Sequence, residues 1–153
     1  MTLRVRESLG NVSDEEVRRY ESELKISFPE IYRKFLLQYN GGVPEPALFT
    51  VSRWGKTLVN RFFGISKNDP DDFIIRNAAV RRRLPGNSFA IADDPGGNTI
   101  ILIYDGPNKG KIYFWDHEEE SGPTGEDASR FPNVHYLADG LKELLDSLEQ
   151  ASD

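Results

Sequence analysis

The run Phe89-Ala90-Ile91-Ala92-Asp93-Asp94-Pro95-Gly96-Gly97-Asn98-Thr99-Ile100-Ile101-Leu102-Ile103-Tyr104 decides the fold. Phe89 to Ala92 is a short apolar run, and Asp94 to Asn98 collects residues that tolerate turn dihedrals. Thr99 to Tyr104 is β-branched and apolar on both faces, which predicts a central strand covered on both sides. A second turn, Asp105-Gly106-Pro107-Asn108-Lys109-Gly110, leads into Lys111 to His117, the next strand. Residues 88–117 therefore read as a three-stranded antiparallel meander.

Outward from the meander the periodicity changes. Downstream, 118–130 is acidic with Ser, Gly, Pro and Thr, as in a surface loop, and Leu137, Leu141, Leu144, Leu145 and Leu148 predict a final amphipathic helix. Upstream, Asn68-Asp69-Pro70 starts a helix over 70–83, with Phe73, Ile74 and Val80 inward. Residues 47–51 and 58–63 predict short strands. Ser13-Asp14-Glu15-Glu16 is a capping box, opening a helix near 14–24 through Val17, Tyr20 and Leu24. Pro29 suits the first turn of a second helix, whose face is Ile31, Phe35 and Tyr39 with Tyr32 and Leu36 beside it. Asn40-Gly41-Gly42 stops that helix, because glycine accepts the left-handed conformation at little steric cost. The sum is an α+β chain, expected as one domain over 1–153 with a core of about 13–149: a mainly antiparallel sheet backed by N-terminal, middle and C-terminal helices.

Composition narrows the chemistry. The 153 residues contain no cysteine, which excludes disulfides, thiolate nucleophiles and Cys-based zinc sites. The longest apolar run, Ile100 to Tyr104, is far short of the roughly 20 residues of a membrane span. The N-terminus has no apolar signal region, so a cytoplasmic protein is expected. Net charge is −6, unevenly spread: −1 over 1–50, +5 over 51–85 and −10 over 86–153. The acidic part suits a cationic partner and repels nucleic acid; a solvated, solubilising loop explains the same residues. Arg81-Arg82-Arg83 reads as the polar end of a helix rather than a nucleic-acid patch, since no aromatics interleave it.

Catalytic and cofactor signatures fail one by one. His117 and His135 have no partners at zinc-site spacing. Asp93 to Asn98 departs from the calcium-loop template and lacks its bidentate glutamate. Gly96-Gly97 precedes a strand, so it is no dinucleotide fingerprint. Neither a P-loop nor a nucleophile elbow is present. No nucleophile or electrophile stands near the carboxylates, so no catalytic residue, metal or cofactor is expected. Among the aromatics, Tyr113 and Trp115 share one strand face and Ile112 and Phe114 the other, and Trp54 in a polar loop is the expected exposed anchor.

Four motifs in this order resemble the SUKH superfamily, the SMI/KNR cell-wall-regulator family. They are Glu21-x-x-Leu24 with Phe28-Pro29-Glu30-x-Tyr32-x-x-Phe35-Leu36-x-x-Tyr39-Asn40-Gly41-Gly42; Phe89 to Ile100; Lys111 to Glu118; and Leu137 to Leu148. The resemblance implies a sheet backed by helices. It implies structural roles for Pro29, Asn40, Gly41, Gly42, Gly96 and Gly97, and no catalytic residue. It also implies a protein-binding role, as an immunity protein against a cognate toxin such as a nuclease or deaminase, or alternatively as an intracellular regulatory scaffold. The expected partner surface is Asp93, Asp94, Asp116, Glu118, Glu119, Glu120, Glu126 and Asp127, with Trp54, docking on a basic cleft. The scaffold alternative centres on Trp54 and Phe63. The oligomeric state is not legible in the sequence.

Overall fold

The computed structural model describes residues 3–118 and 127–150. In chain order the elements are β1 (Arg4–Arg6), α1 (Asp14–Leu24), α2 (Glu30–Tyr39), β2 (Val43–Glu45), β3 (Leu48–Val51), β4 (Gly55–Leu58), β5 (Arg61–Phe62), α3 (Phe73–Val80), β6 (Ser88–Asp93), β7 (Thr99–Ile103), β8 (Ile112–Trp115), β9 (Val134–Ala138) and α4 (Leu141–Ser147). Short 3-10 turns follow α3 at Arg81–Arg83 and precede β9 at Ala128–Arg130. The expected meander is β6-β7-β8, and it forms the middle of an antiparallel sheet ordered β5-β6-β7-β8-β9. An antiparallel pair, β1-β2, whose strands are separated in sequence by α1 and α2, and a hairpin, β3-β4, stand beside it. The architecture is α+β.

Every residue of β7 and β8 is buried, as an all-apolar strand predicts, because both faces of the sheet are covered. On one face Phe89, Ile91, Ile100, Leu102, Ile112 and Phe114 meet Tyr32, Phe35 and Leu36 of α2 and Leu141 and Leu144 of α4. On the other, Ala90, Ile101, Ile103, Tyr113 and Trp115 pack with Phe63, Leu84 and Ala128. Both pairs of the Ile112–Trp115 alternation are therefore core. Arg83 lies 4.7 Å over the Trp115 ring and Arg76 5.0 Å over Phe63, so two of the basic segment's cations cap this second layer.

The helix signals hold locally and shift at their ends. Ser13 accepts from the Glu16 N–H at 3.1 Å and Glu16 reaches back to the Ser13 N–H at 3.2 Å, completing the capping box. Pro29 is the N-cap of α2 rather than a member of its first turn. The inward face of α2 is Tyr32, Phe35 and Leu36; Ile31, expected inside, is 53% exposed. α3 begins three residues later than expected, because Asp72, not the Asn68-Asp69-Pro70 turn, caps it by accepting from Ile74 and Ile75 N–H. Its inward residues are Phe73 and Asn77, with Ile74 and Val80 half-buried.

The run 58–63 divides: Leu58 ends β4 and Arg61–Phe62 joins the main sheet. The C-terminal leucines also divide. Leu137 lies in β9, and the helix is only Leu141–Ser147, starting after Gly140 in extended conformation. Strand β8 needs a neighbour on its outer side, and that pairing outweighs the helical spacing of the leucines.

Asn40 ties the helices to the sheet. It ends α2 in the left-handed conformation, φ 50°. Its carboxamide donates to the carbonyls of Gly10 and Ile65, each at 2.9 Å, and accepts from the Ile65 N–H at 2.7 Å. Gly42 has φ +119°, and a Cβ there would stand 2.5 Å from the Arg6 carbonyl, so only glycine lets β1 approach.

Candidate protein-docking surface

Three of the aspartates expected on an acidic face turn inward. Asp94 is 3% exposed. Its carboxylate accepts from the N–H groups of Gly96 and Asn98 at 3.0 and 2.8 Å, from the Asn98 side chain at 3.2 Å and from the Thr57 hydroxyl at 2.8 Å. It builds the β6–β7 turn and lashes that turn to the β3–β4 hairpin. Asn98 in turn accepts from the His117 N–H at 3.2 Å, and the His117 Nε2 meets the Gly96 carbonyl at 2.9 Å. Gly97, φ +87°, lies under that imidazole, where a Cβ would come within 3.2 Å of Nε2. Asp116 is also buried; it accepts from the Trp54 indole at 3.1 Å and from the Glu118 N–H at 3.0 Å. Asp93 lies 3.4 Å from Arg76 and accepts from the Asn60 side chain at 3.2 Å. Burial holds its carboxyl above the ordinary aspartate range, against the pull of Asn60 and Arg76.

Trp54 is a strut. It sits at the tip of the β3–β4 hairpin, with its ring centroid 4.7 Å from that of Phe114 and its N–H held by Asp116. Phe63, the other anchor of the scaffold alternative, is buried beneath Arg76.

Of the acidic residues expected at the interface, Glu118 and Asp127 are exposed; Glu119, Glu120 and Glu126 lie outside the described residues. Asp127 accepts from the Ser129 hydroxyl at 2.6 Å and N–H at 3.0 Å, which lowers its pKa and keeps it ionised. Beside it is a residue not singled out in the sequence. Tyr136 of β9 is 50% exposed, and its ring packs edge-on against Tyr113 at 5.8 Å. Its hydroxyl donates to Asp139, and that bond pushes the phenol up to about 12. The Tyr113 phenol is raised by burial and by the charges of Asp127 and Asp139, so both carboxylates act on one tyrosine pair. A half-exposed tyrosine on a strand, flanked by carboxylates, is suited to anchoring a protein with cationic groups. The signal for it was Val134-His135-Tyr136, a β-branched and aromatic run after Pro132.

Elsewhere, a groove of about 640 Å³ lies between α2 and α4, lined by Ile31, Lys34, Phe35, Tyr39, Leu141 and Leu145 among others. His135 packs against Phe114 with ring centroids 6.4 Å apart. Among the described residues no three His, Cys, Asp or Glu side chains converge as a metal site, and no helix is long and apolar enough to cross a membrane.

Comparison with known proteins gives a family match and a relative. Residues 11–147 match the model of the SMI1 / KNR4 family (SUKH-1). The chain is also 29% identical over 124 residues to the SPbeta prophage-derived uncharacterized protein YokK of Bacillus subtilis (strain 168), a match covering 69% of this chain and 62% of that protein. The chain thus spans less than two thirds of this relative's length.

Proposed function

The chain belongs to the SMI1 / KNR4 family (SUKH-1), and on that premise we propose that it is a non-enzymatic, cytoplasmic immunity protein that neutralises a cognate toxin by covering a basic cleft. The observation that carries the proposal is the Tyr136–Tyr113 pair flanked by Asp127 and Asp139. The net charge of −10 over residues 86–153 supports it, because that segment supplies the field a nuclease or deaminase cleft attracts. Asp94 and Asp116 are buried and Asp93 is half-buried, so they serve the scaffold, while Glu118 and Asp127 are exposed and joined in sequence by Glu119, Glu120 and Glu126.

Occlusion needs no turnover. Charge speeds the encounter, and burial of the tyrosine at the centre slows release. The test is co-expression with a cognate toxin domain sought among the neighbouring genes. The proposal expects growth to be restored by the wild-type chain and lost with Tyr136→Ala combined with Asp127→Lys and Asp139→Lys, the variant remaining folded. Restoration by the variant equal to wild type would contradict it.

The groove favours a second reading, a regulatory scaffold. Ile31 is a large apolar side chain left 53% exposed there. Partner binding abolished by Ile31→Glu and untouched by Tyr136→Ala would select it.

A further inference from the structure

Among the described residues, β9 ends its sheet and pairs within it with β8 alone. Along an antiparallel strand, main-chain groups alternate between facing the partner strand and facing away. The phase is fixed here, because the Asp116 N–H donates to the Asn133 carbonyl at 2.9 Å. Phe114 and His135, the next bonded pair, face each other, so Val134 and Tyr136 direct their main chain outward. The β7–β8 ladder gives the same phase. The Ile103 N–H donates to the Lys111 carbonyl at 3.0 Å, which turns Tyr113 toward β7 and leaves the Tyr113–Tyr136 pair unbonded. The Val134 N–H is taken by the Phe131 carbonyl at 3.1 Å. The edge therefore presents the N–H and C=O of Tyr136, the residue whose ring is half-exposed.

Proteins usually guard such edges with charge or proline, and Val134–Ala138 contains neither. A second copy of this chain is a poor occupant, since Asp127 and Asp139 would bring like charge to the join. A cationic strand gains at the same positions.

We propose that β9 accepts an extended, lysine- or arginine-bearing segment of the partner as a sixth strand, paired through the main chain of Tyr136 and held by Asp127 and Asp139. The added strand rests on the assignment of this face as the docking surface, and it specifies how the partner engages.

The probe is the peptide Ac-Lys-Thr-Lys-Val-Lys-Thr-Lys-NH2, titrated into the full-length ¹⁵N-labelled chain. The control has Pro in place of Val, with the same charge but one fewer main-chain donor and a bend. The pairing peptide binds about tenfold tighter than the proline control, a factor within reach of two net hydrogen bonds. Its amide shifts centre on Val134–Ala138, and exchange of the Tyr136 amide slows about tenfold when it is saturated. Equal affinity of the two peptides, or no binding of either, overturns the added strand. So does self-association that protects the same amide without peptide. The same exchange measurement on the toxin complex separates the two ideas. A toxin that binds while the Tyr136 amide stays unprotected overturns the strand and leaves the docking face standing. A toxin that does not bind removes the face itself.

Discussion

Replacing Asp94 by alanine tests whether this carboxylate holds the scaffold or meets a partner. Four donors converge on it: two backbone N–H groups, the Asn98 amide and the Thr57 hydroxyl. Gly96 is exposed, so water replaces the lost acceptor there. Asn98 is 5% exposed, and its N–H is left without one. An orphaned buried donor costs about 1–3 kcal/mol, and the hydrogen bond from Thr57 to a charged group adds about 1.5–3 kcal/mol. Because the bonds share one charge they do not simply add, and about 3–5 kcal/mol is expected in total. That is a large part of the roughly 5–15 kcal/mol that stabilises a domain. It lowers Tm by about 6–20 °C at this size, given about 2–4 °C per kcal/mol. Urea denaturation followed by tryptophan fluorescence reads it, since Trp54 and Trp115 lie on the affected layers. Thr57→Val loses one bond and costs less, and the double variant costs less than the sum. A loss below about 1 kcal/mol for Asp94→Ala would refute the reasoning, because the four bonds would then be contributing almost nothing.

Three further outcomes follow from other buried or paired groups. The Tyr32 hydroxyl is buried and has no hydrogen-bond partner among the described residues, so Tyr32→Phe raises stability by about 1 kcal/mol in the same assay, and a loss would show a missed partner. Spectrophotometric titration finds one tyrosine ionising at about 12, and Asp139→Ala, which removes the hydrogen-bond acceptor that is the largest cause, returns it toward 10; an unchanged profile would break the Tyr136–Asp139 pair. The raised carboxyl of Asp93 means the folded state binds its proton more tightly than the unfolded chain, so its contribution falls as pH rises through and just above the ordinary aspartate range. Asp93→Asn therefore gains on wild type as pH rises from about 4 to about 6, and a gap that narrows instead would reverse the sign.

The meander was legible because Thr99–Ile103 is apolar on both faces and bounded by turns, a pattern a helix cannot use. The Ser13 cap and the Asn40-Gly41-Gly42 stop were legible because their chemistry is local. β1 and β2 were missed; each is three residues, too short to show alternation, and their pairing depends on Gly42 admitting the Arg6 carbonyl. β9 was missed because Leu137 continues the helical spacing of Leu141, Leu144 and Leu148, and with it went Tyr136. Charge pattern located the acidic part of the chain but carries no sign of direction. Asp94 and Asp116 look like surface residues until the turn and hairpin that enclose them are built. Trp54 was found as a loop tryptophan, and only the fold shows that Asp116 and Phe114 hold it.

The most direct measurement is the affinity of the chain for a cognate toxin domain sought among the neighbouring genes, taken at low and high salt with wild type, Tyr136→Ala and Asp127→Lys/Asp139→Lys. Loss of a central tyrosine costs about 2 kcal/mol, so Tyr136→Ala weakens binding about thirtyfold, mainly through faster release. The charge reversal slows association and flattens its salt dependence. Wild-type affinity and salt dependence in both folded variants would contradict a docking surface built on Tyr136 and its carboxylates.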